Sequence, residues 1–546
     1  MRYADQVVLA RRVHPMTAEE PSYVVAGAAE AVAIRGGRIA AVGSRAEARA
    51  WIGPGTTVTD HGAGVITPGL VDAHSHPILG LRMTAGHDLS GASSPADLRA
   101  GLAAAAEATA PGAWVQAWGL TPDAWPTPGP HRAWLDAIVG DRPAIVRFFD
   151  GHAVVASTRA LELAATADLV DVLGPGLVGR DTQGLTGVVR EPAGLAHLDE
   201  AIPQPSVHDE AARLHDLLAA MAATGLTTVH ALDLEGDALA VLEAAEARGP
   251  LPLRLLLSPW CGPELDEDGW RELLALQQRS GERWAVRGVK IFLDGTIDHG
   301  TAWLSRPDRW GQSDVSLWPD RDRYAAALAF FDRHGVATAT HAIGDAAVGR
   351  ALDVIGGLRR AGSTLVHRIE HIETAPDHLL PRFAEVGAAA CMQPTHCTRY
   401  VTADGSDNWS ARLPEHQARQ AWRTRDLRDL GAVVALGSDW PIAHYDPRQV
   451  MADAQERRPA ERPDAAPVGP EQRLTARMAL EGYTTHAAAA DGLSAELGVL
   501  APGARADLTV FADDPLELAP SALLTCPVLA TYVGGEPAQR HTDLHR

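Results

Sequence analysis

Residues 67–77 read TPGLVDAHSHP, and this stretch decides how the rest of the chain is interpreted. The residues from Gly69 to His76 predict a short apolar strand, which Pro77 prevents from continuing as a central strand. Because side chains alternate along a strand, His74 and His76 point to the same side. Two imidazoles at the C-terminal end of one strand can bind one metal ion, although an isolated His-x-His pair is more often two surface or core histidines. The interpretation therefore depends on what other segments contribute.

Length, composition and charge limit the classes of protein that fit. The chain has 546 residues, which indicates two or three structural units, and 46% of them are hydrophobic. Its 48 Lys and Arg residues stand against 69 Asp and Glu, and the net charge of −21 argues against a nucleic-acid or anionic-membrane partner. The first 25 residues lack the apolar core of a signal peptide, and no run of 18 apolar residues predicts a membrane span. Four scattered cysteines are too few for a disulfide scaffold, so a reduced cytoplasmic location is expected.

Both ends of the chain are rich in predicted strands. Residues 31–43, AVAIRGGRIAAVG, are two short β-prone runs around Gly36-Gly37, which favours a type I′ hairpin. Near the other end, residues 508–511 predict a strand, and residues 528–538 predict another strand followed by a Gly-Gly turn. We therefore expect one β-sandwich domain composed of residues 1–66 and 499–546.

From Thr224 onward, strands and helices alternate. Seven apolar strand patterns are each followed by a helical pattern, and several helices end at a glycine, as expected of C′ positions. With the strand that carries His74 and His76, the count is eight. Eight parallel strands that alternate with helices are typical of an α/β chain with a (β/α)8 TIM barrel, here residues 67–80 plus 207–498.

The long connection between the first two of these strands, residues 81–206, predicts an inserted subdomain over the mouth of the barrel. Ser94 and Pro95 are suited to the N-cap and first position of a helix, and residues 114–120 and 143–149 form strand-like apolar runs. The aromatic residues of the insert either face a substrate or form the core of the insert itself: Trp114, Trp118, Trp125, Phe148 and Phe149.

Polar residues recur at the predicted C-terminal ends of the barrel strands, where barrel enzymes place their reactive groups. Each has an ordinary structural explanation taken singly, but four histidines and one aspartate together are common ligands of Zn²⁺ or a related divalent ion. The predicted metal-binding positions are His74, His76, Lys290, His341, His371 and Asp439.

Lys290 is unusual because it lies within an apolar strand pattern, where a charged amine is unfavourable. If its amine reacts with CO₂, the resulting carbamate is an anionic ligand that can bridge two metal ions. The alternative is an unmodified lysine that pairs with Asp294 or Asp233.

A series of motifs in a fixed order resembles the amidohydrolase superfamily, in particular its family 3 branch of YtcJ-like metal-dependent hydrolases. The series includes PGLVDAHSH, DGHAVVAS, GVKIFLDGT, THAIGDAAV, RIEH, MQPTH, GSDWP and PGARADLTVF, between about residues 67 and 513. The resemblance implies a barrel with a β-sandwich, the six metal-binding positions named above with Lys290 carboxylated, and deformylation of N-substituted formamides or hydrolysis of related amides. The segment DGTIDHGTAWL departs from the usual serine-arginine version of this loop, so the substrate stays open.

The remaining histidines differ in what they predict. His152 is a candidate to reach the mouth of the barrel, and His230 is a candidate to support the ligands from behind. The others are interpreted as packing or surface residues: His367, His396, His444 and His486. The candidate substrate-binding residues are Trp118, His152, Asp294 and Trp440.

The predicted function is hydrolysis of a C–N bond in a small non-peptide amide, with an N-substituted formamide as the leading substrate. One or two zinc ions would lower the pKa of bound water, and Asp439 would accept the water proton and pass it to the departing nitrogen. The alternatives are a cyclic amide hydrolase or imine deaminase, and a metal-binding protein without catalysis. The expected partner is a small-molecule amide, with neither nucleic acid nor membrane; a homodimer is compatible with the sequence, which does not fix the oligomeric state.

Overall fold

The computed structural model describes residues 3–17, 29–121, 124–126, 129–165, 177–182 and 184–540. Residues 1–2, 18–28 and 541–546 of the predicted β-sandwich lie outside the described residues, as do residues 122–123, 127–128, 166–176 and 183 of the predicted insert. Within the ranges the strands are, in chain order, β1 (Gln6–Leu9), β2 (Arg12–Val13), β3 (Ala31–Arg35), β4 (Arg38–Gly43), β5 (Thr57–Asp60), β6 (Val65–Pro68), β7 (Leu70–Ser75), β8 (His87–Asp88), β9 (Val115–Leu120), β10 (Ala144–Phe148), β11 (Ala153–Ala156), β12 (Val178–Asp181), β13 (Gly184–Arg190), β14 (Leu226–Ala231), β15 (Arg254–Leu257), β16 (Trp284–Val286), β17 (Val289–Phe292), β18 (Thr338–Ala342), β19 (Arg368–His371), β20 (Ala389–Met392), β21 (Val433–Leu436), β22 (Leu508–Phe511), β23 (Val528–Val533) and β24 (Glu536–Arg540).

Helices follow most of the central strands. Within the same described ranges the α-helices span Arg45–Ala48, Pro77–Met83, Pro95–Ala108, Arg132–Val139, Thr158–Leu163, Glu191–Glu200, Val207–Ala223, Ala238–Ala247, Glu267–Leu276, Arg321–Arg333, Asp345–Arg360, Leu380–Val386, Pro394–Tyr400, Asn408–Arg412, Glu415–Ala418, Thr424–Asp429, Pro447–Glu456, Ala476–Gly482, Thr485–Ala490 and Pro520–Leu523, and a 3₁₀-helix spans Pro470–Gln472. None of the helices in the described part of the chain is both long and apolar enough to span a membrane.

The central strands form two parallel sheets, in the orders β16-β15-β14-β7 and β17-β18-β19-β20-β21. Single parallel bridges join the two sheets, one between Ser75 and Trp440 and the other between Trp260 and Lys290. All eight predicted strands are present in the predicted order, and β16 is an additional short strand. Closure of the two sheets into one barrel stays a prediction.

The central strands are short and almost wholly buried, as expected when helices cover parallel strands. Their apolar side chains pack with those of the surrounding helices in one large core. Three of the predicted helix-ending glycines, Gly335, Gly387 and Gly431, have φ values of 75°, 65° and 84°. Those glycines reverse the chain direction and return it to the next strand.

Strands from both ends of the chain pair in one sheet, β2-β6-β22-β23-β24, and strands of the N-terminal part alone form another, β4-β3-β1-β5. Gly36 and Gly37 have φ values of 56° and 70°, as a type I′ hairpin requires. Side chains from both ends share one core that includes Val8, Val510 and Tyr532. The predicted pairing of the two termini is therefore present, whereas the domain boundaries stay a prediction.

The long insertion contains a six-stranded sheet, β12-β13-β11-β10-β9-β8, and the helix Pro95–Ala108. The Ser94 side chain accepts a hydrogen bond from the backbone N–H of Asp97, which caps this helix as predicted. Trp125 and Phe148 are buried in the hydrophobic core of the insert, and Trp114 packs against a second cluster. For these three aromatic residues the structure supports the core interpretation.

Candidate metal centre

The carboxylate of Asp439 lies among four imidazole rings. Its Oδ1 atom is 3.3 Å from His74 Nε2 and 3.2 Å from His76 Nε2. Its Oδ2 atom is 3.8 Å from His371 Nδ1 and 3.7 Å from His396 Nε2. All five side chains are buried. Three of these residues, His74, His371 and Asp439, each offer one ligand atom, and these atoms lie within 4.8 Å of one another.

The backbone brings these residues together by local contacts and by unusual conformations. The N–H of Asp439 donates to the carbonyl of His74 (2.7 Å), and the N–H of His76 donates to the carbonyl of Trp440 (2.8 Å). Asp439 and His371 have positive φ values of 56° and 73°, and Ile372 has 52°. Such conformations cost on the order of 1–3 kcal/mol in non-glycine residues and persist where surrounding contacts hold them. They turn the chain sharply at the ends of two strands.

Two buried side chains fix the orientation of His74 and His371, two of the candidate metal-binding histidines. His74 Nδ1 lies 2.6 Å from Glu370 Oε2, and His371 Nδ1 lies 3.0 Å from Gln393 Oε1. Because a carboxylate or an amide oxygen only accepts, each Nδ1 carries the hydrogen, which leaves the lone pair on each Nε2 for a metal.

Arg368 holds Glu370 in place by donating from its Nε to Oε1 at 3.0 Å. Burial alone would raise the pKa of Glu370, but the charge of Arg368 and the hydrogen bond with His74 hold it well below its usual value. The side chain of Arg368 also donates to Asp491 at 2.5 Å and contacts His230. Arg368 and Glu370 lie on the same face of β19 because side chains alternate along a strand. Two opposite charges at this spacing in an apolar strand pattern were the sequence signal that could have predicted this ion pair.

His341 and Lys290 complete the predicted set. The His341 Nε2 lies 3.2 Å from the carbonyl oxygen of Gly295, and the His341 ring is 4.5 Å from that of His371 between centroids. Lys290 is fully buried, with its Nζ 4.9 Å from the centre of the Phe292 ring, and burial lowers the pKa of its amine to about 8. The structure therefore places Lys290 as a buried amine in the strand next to His341.

The predicted ion-pair partners of Lys290 are occupied elsewhere. The Asp294 carboxylate accepts hydrogen bonds from the backbone N–H groups of Trp303, Ile343 and Gly344 at 2.8–3.0 Å. Asp233 accepts from two backbone N–H groups at the start of the helix Pro77–Met83, at 2.7 Å each. Among the described residues neither aspartate forms an ion pair with Lys290, so that alternative is wrong.

The donor set fits a divalent metal ion. Within the described residues, three buried imidazole nitrogens have no hydrogen-bond partner: His74 Nε2, His76 Nδ1 and His396 Nε2. Unpaired buried polar atoms are costly unless a ligand or water satisfies them. Burial lowers the pKa of His76 and of His396 to about 4 and that of His371 well below its usual value, which favours the neutral imidazoles that bind metals.

A pocket of about 460 Å³ opens onto this group of residues. His152, His341, His371, His396 and Asp439 line it, together with acidic and aromatic residues from neighbouring loops. The interpretation of His396 as a packing or surface residue is therefore wrong. It lies in the helix Pro394–Tyr400, which begins directly after β20, and a histidine so close to a strand end was the signal that could have identified it.

The four candidate substrate-binding residues lie in different places. His152 lines the pocket, and its Nδ1 is 2.9 Å from Glu191 Oε2. Burial lowers the pKa of His152, but the charge of Glu191 outweighs this and raises the pKa to about 9. Asp294 is instead bound by three backbone N–H groups, as described above.

Trp118 and Trp440 are not among the described residues that line the pocket. Trp118 lies on β9 and its carbonyl accepts from the N–H of Leu89, while Trp440 packs over Gly80. Both were candidates because of their position in sequence, and the path of the backbone turns each of them elsewhere. Phe149, by contrast, lines the pocket and stacks on Tyr400 with ring centroids 3.9 Å apart.

The other histidines have structural contacts. His230 supports the site from behind, since its Nδ1 is 2.6 Å from Asp491 and its Nε2 is 3.0 Å from the Ser258 hydroxyl. His367 bonds to Thr338 and Asp332, as a packing residue does. Glu370, Gln393 and Arg368 were not predicted, and each acts through a ligand histidine or its carboxylate partner.

The chain is similar to known proteins over most of its length. A model of the amidohydrolase family matches residues 58–539. The N-substituted formamide deformylase of Arthrobacter pascens is 28% identical over 93% of this chain and 94% of that protein. Protein LONG AFTER FAR-RED 3 of Arabidopsis thaliana is 29% identical over 93% of this chain and 88% of that protein.

Solved structures are also similar. The crystal structure of an uncharacterized metal-dependent hydrolase from Pyrococcus furiosus superposes with a TM-score of 0.69 and 25% sequence identity. The superposition covers 94% of this chain and all of that one. The match extends over the terminal sheets, the insert and the parallel sheets together.

Proposed function

We propose that this chain, which belongs to the amidohydrolase family, hydrolyses small N-substituted amides, with N-substituted formamides as its best substrates. The family and its hydrolase relatives make the chain a hydrolytic enzyme that acts on non-peptide C–N bonds. The observation that carries the proposal is the cluster of Asp439 with buried histidines, two members of which, His371 and Asp439, line a pocket. The relative from Arthrobacter pascens, named for the deformylation of N-substituted formamides, supports the choice of substrate.

The proposed architecture is a (β/α)8 barrel of residues 67–80 and 207–498, with β7, β14, β15 and β17–β21 as its strands. The bridges Ser75–Trp440 and Trp260–Lys290 support closure of this ring. Residues 1–66 and 499–546 would form the β-sandwich, and residues 81–206 the inserted subdomain over the pocket.

The residues that would hold the metal are His74, His76, His341, His371, Asp439 and carboxylated Lys290, and zinc is the proposed ion. A divalent ion bound there would lower the pKa of a water molecule and polarise the amide carbonyl. The carbamate would form when Lys290 Nζ, as the free amine, attacks the carbon of CO₂ and loses one proton. The complete burial of Lys290, which disfavours the ammonium form, supports this modification.

Asp439 would act as the proton carrier. Burial raises the pKa of Asp439, but its contacts with His74 and His76 outweigh burial and hold the pKa well below its usual value, so the side chain is an ionised carboxylate. It would take a proton from water as water adds to the carbonyl carbon and release it to the amide nitrogen as the C–N bond breaks. Phe149 and Tyr400, stacked at the pocket, would limit access of bulk water.

A covalent route through a thiol has no support. Cys391 is buried in β20, and burial raises the pKa of its thiol well above the usual value. The thiolate is the nucleophilic form, so a thiol with a raised pKa is a poor nucleophile at neutral pH. This favours direct attack by water.

The test supplies metal-loaded protein with N-benzylformamide and related amides, and measures formate and amine together. Asp439→Asn should reduce kcat by about 10²–10⁴-fold because the amide cannot accept the proton. The matched control is Asp268→Asn, which changes an aspartate whose side chain is 85% exposed and should leave kcat unchanged. Release of ammonia from a cyclic imine, without formate from any formamide, would replace the deformylase proposal with a deaminase. Metal binding without turnover of either substrate class would indicate a non-catalytic protein.

A further inference from the structure

Three carboxylates besides Asp439 line the same pocket. Asp150 comes from the inserted segment directly after β10, Asp298 from the loop after β17, and Glu373 from the loop after β19. Three separate parts of the chain thus bring acidic side chains to one wall, which we call the acidic wall. None of these three carboxylates belongs to the candidate metal centre.

Positive charge balances only part of the acidic wall: His152 lines the same pocket but pairs with Glu191 at 2.9 Å, and no Lys or Arg is among the described residues that line it. Asp150 Oδ2 lies 2.9 Å from His299 Nε2, whereas Asp298 Oδ1 accepts from the amide of Asn408 (2.8 Å) and Glu373 Oε2 accepts from the indole of Trp409 (2.6 Å). Amide and indole donors carry no charge. Within the described residues, no hydrogen bond reaches Asp298 Oδ2 or Glu373 Oε1.

The nearest arginine does not neutralise the wall. Arg412 donates from its Nε to the backbone carbonyl of Asp298 (3.0 Å) and pairs through its guanidinium with the Asp308 carboxylate at 2.8 Å. Burial, together with repulsion from Asp150, outweighs the hydrogen bond from Asn408 and raises the pKa of Asp298 to about 6. A cation placed beside a buried carboxylate stabilises its ionised form.

An independent observation indicates a ligand at this wall. Thr296 lines the pocket and is 7% exposed, and among the described residues its buried Oγ1 atom has no hydrogen-bond partner. A hydroxyl oxygen accepts hydrogen bonds from an ammonium group. The aromatic rings of Phe149, Tyr400, Trp409 and Trp422 line the same pocket. Aromatic faces stabilise organic cations, and they do not replace the oxygen shell of a hydrated metal ion.

We propose that the acidic wall binds a protonated amine of the substrate, so that the preferred substrates are amides with a second, cationic nitrogen at the end of the N-substituent. This inference rests on the proposed function, because it assigns the reacting amide to the Asp439 end of the same pocket. A short chain of methylenes would separate the two nitrogens of such a substrate.

The kinetic test compares two formamides that differ only at the end of the chain, N-(5-aminopentyl)formamide and N-hexylformamide. The terminal ammonium of the first is replaced by a methyl group in the second. The ammonium substrate should have a kcat/KM at least about tenfold higher. Equal kcat/KM values in the wild-type enzyme would overturn the inference while leaving the proposed deformylase function intact.

Variants locate the preference. Asp298→Asn should bring the ratio of the two kcat/KM values close to one, and Thr296→Val, which keeps the side-chain shape, should lower it. The control is Asp322→Asn, since the Asp322 side chain is fully exposed and away from the pocket. It should leave the ratio unchanged. An unchanged ratio in both folded pocket variants would contradict the proposal.

A binding measurement separates this inference from the hydrolysis itself. Pentan-1-amine, protonated at neutral pH, and pentan-1-ol are titrated by calorimetry into metal-loaded protein. Tighter binding of the amine, lost in Asp298→Asn, would support the acidic wall even if no formamide were hydrolysed, and would distinguish it from coordination of a metal. If Asp298→Asn changes the metal content and not amine binding, the wall is a metal site and the inference is wrong.

Discussion

Single residues decide whether the histidines of this pocket present the correct nitrogen. Glu370 and Gln393 accept the Nδ1 hydrogens of His74 and His371, and this leaves both Nε2 lone pairs for a ligand. Such partners are as much a part of a metal site as the ligands are, because they fix tautomer and ring orientation.

Replacing Glu370 tests this relation. Glu370→Gln keeps the size of the side chain but removes the charge that fixes the His74 Nδ1 hydrogen, so metal affinity should fall by about 10–100-fold. Excess metal should restore activity, a result that a misfolded variant would not give. Glu385→Gln, at an exposed position on the helix Leu380–Val386, serves as the control for metal titrations. Unaltered metal affinity in Glu370→Gln would show that Glu370 does not position His74.

Lys290 carries a second prediction at this scale. Lys290→Ala should lose both metal and activity, since the proposed carbamate would be absent. A short-chain carboxylic acid added to the variant should partly restore both by supplying an oxygen ligand in the space of the missing side chain. Mass spectrometry of the intact wild-type protein under CO₂ checks the modification. Full metal content in Lys290→Ala would remove Lys290 from the ligand set.

At the scale of the elements, the helix after β7 packs closely against the segment after β21. Gly80, in the helix Pro77–Met83, lies under the ring of Trp440, and a Cβ at that position would be 2.2 Å from Trp440 Cζ3. Trp440 follows Asp439 and its carbonyl accepts from His76. A displaced Trp440 would therefore also move Asp439 and His76, which are proposed metal-binding residues.

Gly80→Ala should destabilise the fold by about 1–3 kcal/mol, the usual cost of overpacking, and should lower metal content. The control, Gly349→Ala, is another glycine within a helix, Asp345–Arg360, where the nearest atom to an added Cβ is 3.7 Å away. That variant should be stabilised by up to about 1 kcal/mol. Urea unfolding and metal analysis of both proteins provide the comparison. Equal stability of the two variants would mean that the helix moves to relieve the contact.

At the scale of the whole molecule, one buried carboxylate ties the two ends of the chain together. Asp514 accepts from Arg12 at 2.6 Å and lies 2.9 Å from His14 Nε2. Burial raises its pKa, but these partners and a backbone N–H outweigh burial and lower the pKa to about 2. A carboxylate with a lower pKa in the folded state than in the unfolded state stabilises the fold above its unfolded pKa.

Asp514→Asn should lower the free energy of unfolding by about 1–2 kcal/mol at pH 7. The difference from wild type should stay constant down to about pH 5 and shrink below pH 4, as the pH falls through the unfolded pKa of 3.8 toward the folded pKa of about 2. Glu517→Gln is the control, because Glu517 contacts the same Arg12 but is 60% exposed, and its loss should cost less than about 1 kcal/mol. Urea midpoints at each pH measure both. A difference that grows below pH 4 would have the wrong sign.

Metal removal tests the whole structure in another way. If buried imidazoles and Asp439 hold a metal, its removal leaves them unpaired in the core, and a ligand that binds only the folded state raises its stability. Chelation should therefore lower Tm, and zinc should restore it. The same experiment on His74→Ala should show little further change on chelation. A Tm that does not respond to chelation in the wild-type protein would contradict the metal proposal.

The sequence by itself determined the regular elements and their order. Strand alternation, helix-ending glycines and the Gly36-Gly37 turn act within a few residues, so they can be read locally, and they placed β7, β14, β15 and β17–β21. The same alternation predicted His74 and His76 on one side of a strand, although β7 ends at Ser75 and His76 is the N-cap residue of the next helix, and the strand pattern brought His371 and Asp439 to strand ends.

Only the tertiary structure decided which other side chains reach the pocket. His396 enters it and Trp440 does not, since this depends on the direction the chain takes after a strand, including the positive φ values at His371 and Asp439. The acidic wall joins Asp150 to Asp298 and Glu373, although Asp150 is more than a hundred residues away from both in the sequence. No local sequence pattern predicts such a contact. The physical reason is that strand and helix periodicity encode contacts within an element, whereas loop paths are set by packing between elements.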